Sequence, residues 1–456
     1  MNEKSVLDNI QLEDENISKA ESISVNLKII GFSEQQRPLN VVFIGQNKSE
    51  LRIFIMAGQH GDEADGRKAV LRLATQSNQS YSETLSSAQL AILLDANPDG
   101  SNQATRENSL QIDLNRDHQR LDAKETRAIH DFVRLWRPHL IVDVHNYPPR
   151  RKLLLAENRI IDYDVFLDTP TNPVVNLFPN QEVVTENLVR TVKSELNSFG
   201  FSCERYLLLK GSGRARGSTL DLVDARNSLA VRYETLTILV EGRDSTKNDN
   251  RITREKLVSA QYQALRSIIR WASSHQILLT SKTIVDKGKL VPIRYKYYPS
   301  NRTFEMKYKN ALTGERETVP LQVYLKDVKI SKLVELPRAY AIPRDELKAL
   351  KILDRHAFRS EISKPYCVEE VESYSIDRTT NKTPESQIMN RKDDNFVVKK
   401  EKRTLEGYRI FRTDQLGGPA LALFLEPRSQ YGLVGHGDLS MSLSHQKTVY
   451  PILRIP

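Results

Sequence analysis

Cysteine is nearly absent: Cys203 and Cys367 are the only two among 456 residues. They allow at most one disulfide, and no Cys-x-x-Cys pair exists. That argues against a disulfide-stapled secreted protein and against thiolate metal sites. No apolar run approaches the ~20 residues that a membrane-spanning helix needs. The opening Met1-Asn2-Glu3-Lys4-Ser5-Val6-Leu7-Asp8 lacks the apolar core of a signal peptide. The expectation is therefore a cytoplasmic chain with no membrane partner. No Lys/Arg run interleaves with aromatics, so no nucleic-acid partner is expected. The formal net charge of +9 comes from 67 Lys and Arg against 58 Asp and Glu. It reads as a solubility feature with some bias towards anionic partners. There is no internal repeat, and the oligomeric state is not readable.

A chain of this length exceeds one compact core, and its pattern splits in two. Residues 1–22 are a polar arm. From 23 to 275 apolar strands alternate with amphipathic helices. Strands are expected near 22–31, 39–45, 51–57, 88–95, 140–145 and 236–241, and helices near 67–74, 122–136, 182–199 and 252–275. This predicts an α/β domain, with a mixed, largely parallel central sheet flanked by helices. Asn97-Pro98-Asp99-Gly100 reads as a turn. From 276 to 456 the character changes to a β-rich, α+β C-terminal domain. There, residues 290–298, 302–308, 320–325, 395–400, 408–412 and 420–425 read as strands. One helix is expected around 344–353, and 378–394 reads as a mobile polar loop.

The chemistry gathers at strand ends. The apolar run Leu51 to Ala57 leads into Gly58-Gln59-His60-Gly61-Asp62-Glu63, a glycine-bracketed turn before a helix. A second strand ends in His145 and a third in Glu241. A single His or Glu at such a place is usually solvated or structural. The C-terminal edge of one sheet, however, can bring all of them together, and that edge is where open α/β sheets bind ligands. Two His and one Glu with a fourth position open make a hydrolytic zinc site, and a nearby carboxylate can take a proton from water.

Several motifs in order carry a family resemblance: Gly31-Phe32-Ser33 with Arg37-Pro38-Leu39, Gly58-x-His60-Gly61-x-Glu63, Asn97-Pro98-Asp99-Gly100, Arg106 through Asn115-Arg116, and Asp143-x-His145. Over roughly residues 23–275 the chain resembles the zinc carboxypeptidase family, the metallopeptidases related to carboxypeptidase A. Pro337-Arg338-Ala339-Tyr340-Ala341-Ile342-Pro343 and the stretch from Phe424-Leu425 are similar to the C-terminal extension of some bacterial members.

The resemblance implies roles. His60, Glu63 and His145 would bind Zn2+, with Asp113 holding the far nitrogen of His60. Asn115 and Arg116 would grip the free C-terminal carboxylate of a peptide substrate, since a guanidinium forks onto a carboxylate. Arg106 would stabilise the oxyanion. Glu241 would be the general base, with Glu234 as the competitor. The family's catalytic-loop tyrosine has no clear match; Tyr206 and Tyr233 are the candidates. His118 stands where many members carry an aromatic residue and is expected to be a satisfied loop His. Arg214, Arg216 and Arg226 are either recognition groups for an anionic substrate or solvated loop residues. Two alternatives to a carboxypeptidase stay open. One is a deacylase of N-acyl amino acids resembling aspartoacylase and succinylglutamate desuccinylase. The other is a non-catalytic binding protein on a peptidase scaffold.

Overall fold

The computed structural model describes residues 25–46, 49–76, 88–245, 251–281, 290–301, 303–377, 396–439, 442–443 and 447–456. The N-terminal arm and the polar stretch 378–394 lie outside the described residues.

Eight strands build the main sheet: β1 (Val25–Phe32), β2 (Pro38–Ile44), β3 (Leu51–Ala57), β4 (Ala88–Leu93), β5 (Leu140–Tyr147), β6 (Val165–Asp168), β7 (Cys203–Arg205) and β8 (Leu236–Arg243). Their order is β1-β2-β4-β3-β5-β8-β6-β7. The central run β4-β3-β5-β8 is parallel. β1, β2 and the β8–β6 pairing are antiparallel. The sheet is thus mixed and largely parallel, as the alternating pattern predicts. β4 and β5 are buried at every position, as central strands covered on both faces must be. Helices α1 (Ala64–Thr75), α2 (Lys124–Trp136), α3 (Gln181–Ser198), α4 (Ala225–Tyr233) and α5 (Arg251–Ser274) flank it. One core cluster joins α1, α3 and α5 to one face, and a second joins α2 and α4 to the other.

The remaining strands form three further sheets, and two of these recruit strands from both sides of residue 276. Arg214–Arg216 pairs in parallel with Val323–Glu335, which runs antiparallel along Leu290–Pro299. Arg159–Ile161 pairs with Glu305–Asn310. The last sheet collects strands from Ala339–Pro343 to Leu453–Ile455. The helix expected near 344–353 is present as Leu347–Arg355. The expected strand at 420–425 is instead part of an α-helix, Gly418–Leu425. Gly417, at φ 71°, and Pro419 in the first turn start it. A short, uniformly apolar run carries no periodicity to separate strand from buried helix. Asn97-Pro98-Asp99-Gly100 is also more than a turn. Asn97 caps a helix over Pro98–Gln103, its side chain accepting from the Gly100 N–H.

Buried Arg232 of α4 joins the C-terminal region to the main sheet. Its guanidinium donates to the carbonyls of His356 and Leu416 at 2.7 and 2.6 Å and lies 3.9 Å from the Phe358 ring. No helix among the described residues is long and apolar enough to cross a membrane. Both cysteines are free.

Candidate metal centre and active site

Two close approaches shape the loop after β3. Gly58 takes φ 76°, and a Cβ there would lie 2.6 Å from Asp95 Oδ1. At Gly61 a Cβ would fall 2.0 Å from the backbone carbon of Gly100. Only glycine lets the loop press this hard against the helix start at 98. Asn97 Nδ2 donates to the Gln59 carbonyl at 3.3 Å. Asp99 accepts from Ser33 Oγ at 2.7 Å, Arg37 at 2.5 Å and Ser109 at 2.9 Å. The upstream motifs therefore build the wall behind the loop rather than the chemistry.

That wall aims His60 and Glu63 at β5. His60 Nδ1 lies 2.6 Å from Glu63 Oε1, His145 Nδ1 lies 3.0 Å from Glu63 Oε2, and the two Nδ1 atoms are 3.2 Å apart. The Asn146 N–H donates to Glu63 Oε2 at 2.9 Å. One ligand atom from each of His60, Glu63 and His145 lies within 4.8 Å of the others, and these three make the one such metal-ligand cluster among the described residues. The donor set fits zinc. His60 Nε2 faces Asp113 Oδ1 at 3.1 Å. His145 Nε2 faces Asp143 Oδ1 at 3.1 Å and two amide nitrogens, of Asn115 at 3.2 Å and Gln59 at 3.3 Å. Amide nitrogens only donate, so Asp143 is the one acceptor there for an Nε2 proton. With protons on both Nε2 atoms, both Nδ1 lone pairs are free for a cation.

The electrostatics are those of a crowded ionic cluster. Burial pulls His60 and His145 down, but the carboxylates outweigh it. Asp113 and Glu63 raise His60, and Asp143 and Glu63 hold His145 well above 6.5. Burial raises Glu63, yet His145 and His60 bring it to about 2. Asp113 is desolvated but pulled below the ordinary carboxylate range by His60 and Arg106.

The other expected residues stand around this centre. Arg106 Nε donates to Asp113 Oδ2 at 2.9 Å, while its Nη1 comes to 3.3 Å from His60 Nδ1. Asn115 is buried; its Oδ1 accepts from the Ala225 N–H at 3.0 Å. Arg116 is exposed and bonds only the Asn115 carbonyl among the described residues, at 2.7 Å. Glu241 pairs in register with His145 on the neighbouring strand. Burial pushes it up to about 7, with His145 opposing and Glu63 adding. Glu234 caps α4 at the opposite end of β8, and its carboxylate accepts from the Gly417 N–H at 2.9 Å.

Arg226 fits neither of its expected descriptions. It is 1% exposed, paired with Asp168 and, at 3.2 Å, with Asp224. Two carboxylates already neutralise it, so it offers no free charge to an anion. Arg216 bonds the Gly217 and Ser218 carbonyls. Burial and the charge of Glu241 push the Tyr206 hydroxyl up, with Arg151 opposing, whereas Tyr233 is buried against His130. Sequence reasoning assigned no role to Gln59, Asp143 or Gln261. Gln261, a polar break in the apolar face of α5, donates to the His145 carbonyl at 2.8 Å. His118 is satisfied, as expected, but fully buried.

Residues 14–149 match the model of a family described as zinc carboxypeptidase, the family whose resemblance the motifs carry. Among curated proteins, the chain is similar to carboxypeptidase 2 of Trichophyton tonsurans. The two are 22% identical over 461 residues, covering 93% of this chain and 81% of that protein. The counterpart of Trichophyton equinum matches over 462 residues at the same identity and coverage. Among solved structures, a metallo-carboxypeptidase from Burkholderia cenocepacia aligns at TM-score 0.44 and 16% identity, covering 60% of this chain and 70% of that one.

Proposed function

We infer that this chain, whose residues 14–149 match the zinc carboxypeptidase family model, removes the C-terminal residue from peptides. The observation that carries the reading is the convergence of His60, Glu63 and His145 at one sheet edge, with Glu241 in register beside them. His60, Glu63 and His145 would hold zinc, which when bound supplies a Lewis acid and a lowered pKa for water.

The chain's own groups do the rest. Glu241 takes a proton from the attacking water and returns it to the leaving amine. A carboxylate raised to about 7 suits both tasks near neutral pH. Arg106 stabilises negative charge developing on the scissile carbonyl oxygen, its guanidinium steadied by Asp113. Arg116, exposed and without a carboxylate partner among the described residues, is free to fork onto the substrate's terminal carboxylate. Asn115 would share the grip on that carboxylate, and its backbone carbonyl accepts from the Arg116 guanidinium. This pair makes the enzyme an exopeptidase, because an internal peptide bond offers it no anion.

The test is a panel of short peptides, their C-terminally amidated forms and N-acyl amino acids, each with and without a chelator. Chelator-sensitive release of the last residue from the free acids alone is expected. Turnover confined to N-acyl amino acids would replace this reading with the deacylase.

A further inference from the structure

A hydrogen-bonded chain of buried side chains runs away from the metal centre. Gln59 Nε2 donates to Asp143 Oδ1 at 2.7 Å, and Gln59 Oε1 lies 2.7 Å from His118 Nε2. His118 Nδ1 lies 3.1 Å from His130 Nε2, and His130 Nδ1 lies 3.0 Å from the Tyr233 hydroxyl. None of the five residues is more than 5% exposed.

Asp143 sets the direction of the chain. A carboxylate only accepts, so Gln59 turns its amide nitrogen to Asp143 and its oxygen to His118; an amide oxygen cannot donate, so His118 Nε2 carries the proton. A neutral imidazole has one donor and one acceptor, so His118 Nδ1 accepts and His130 Nε2 donates. His130 Nδ1 then accepts from Tyr233. Both rings are neutral: burial lowers His118 to about 4 and His130 well below 6.5, and neither touches a carboxylate. Backbone bonds hold His118 in place, its N–H donating to the Val223 carbonyl at 3.1 Å and its own carbonyl accepting from Ser228 Oγ at 2.8 Å. At the metal end, Asp143 Oδ2 is buried without a hydrogen-bond partner among the described residues. Gln59 and His145 are therefore what hold this carboxylate.

We propose that Tyr233, His130 and His118 are positioning residues for the metal centre. Their chain holds the Gln59 side chain where its amide nitrogen reaches Asp143, and Asp143 in turn keeps the proton of His145 on Nε2 and its Nδ1 lone pair free for the metal. A flipped Gln59 would turn its oxygen on Asp143 and leave a buried anion repelled rather than held. The inference deepens the proposed function and rests on His145 being a ligand.

The test measures zinc affinity by competition with a chromophoric chelator, on full-length protein, with the unfolding midpoint of each metal-free variant alongside. His118→Phe keeps a ring but removes both links and should weaken zinc about 10–100-fold, the usual cost of losing an outer partner of a ligand. His356→Gln is the control. Its ring packs 5.2 Å from His130 but donates to the Gln119 carbonyl, outside the chain. It should lower the unfolding midpoint and leave zinc affinity within about twofold. A folded His118→Phe that binds zinc as the wild type does overturns the inference; so does an equal loss in His356→Gln. If His118→Phe does not fold, Tyr233→Phe decides, and unchanged affinity there overturns it. A wild type that takes up no zinc overturns the metal site as well.

Discussion

His356 should make the protein sensitive to mild acid, by an amount that can be isolated. Its Nε2 donates to the Gln119 carbonyl at 2.9 Å, and its Nδ1 is buried with no partner among the described residues. A second proton would have nowhere to bond. Burial accordingly lowers it to about 3, against the opposing pull of the Gln119 bond. The sign follows from linkage. The unfolded chain binds a proton near pH 6.5 and the native one does not, so this group's stability is complete above 6.5 and is lost as pH falls. Between pH 7.5 and 5.5 the loss is about 1.4 kcal/mol. His118 and His130 act in the same direction, whereas metal-free His60 and His145, raised in the native state, act in the opposite one. The wild-type profile alone is therefore a mixture. The readout is the difference between wild type and His356→Gln in urea unfolding at the two pH values, both saturated with zinc. The variant should be less stable at pH 7.5, and its deficit should shrink by about 1.4 kcal/mol at pH 5.5. A deficit unchanged within about 0.4 kcal/mol, roughly the error of such comparisons, refutes the reasoning.

Other expectations concern the site. Glu241→Gln should retain zinc and fold while losing about 10²–10⁴-fold in kcat; a smaller loss, with Glu234→Gln inactive, would transfer the role. In the wild type, kcat/KM should rise as pH increases through about 7, where Glu241 gives up its proton, and a profile flat from 6 to 8 would contradict that. Arg116→Ala should cost about 10–100-fold in kcat/KM on peptides with a free terminus, as expected from one lost charged hydrogen-bond pair, and little on amidated ones. Gly61→Ala must displace either its own loop or the helix at 98, for about 1–3 kcal/mol of stability and a weaker hold on zinc by competition.

The legible part of the fold is the part with local signals. The central strands are long apolar runs, the loop after β3 carries its glycines next to its ligands, and His145 closes a run of branched apolar residues. What the sequence hid is long-range. Arg226 meets Asp168 across 58 positions, and no spacing rule links them. Gln59 lay inside a motif already singled out, yet its partner His118 is 59 positions away. The helix at Gly418–Leu425 was obscured by uniform hydrophobicity, which the buried interior of either element would show. The pairing of Arg214–Arg216 with the start of Val323–Glu335 joins two stretches far apart in the chain, and no local signal links them.

That last pairing limits how the gene could be cut. A fragment ending before residue 276 would carry Arg159–Ile161 and Arg214–Arg216 as raw, unmatched edges, and Arg232 would look out on water instead of the His356 and Leu416 carbonyls. Such a fragment should be sticky and hard to keep monodisperse. The intact chain should melt in a single step, its two halves failing together.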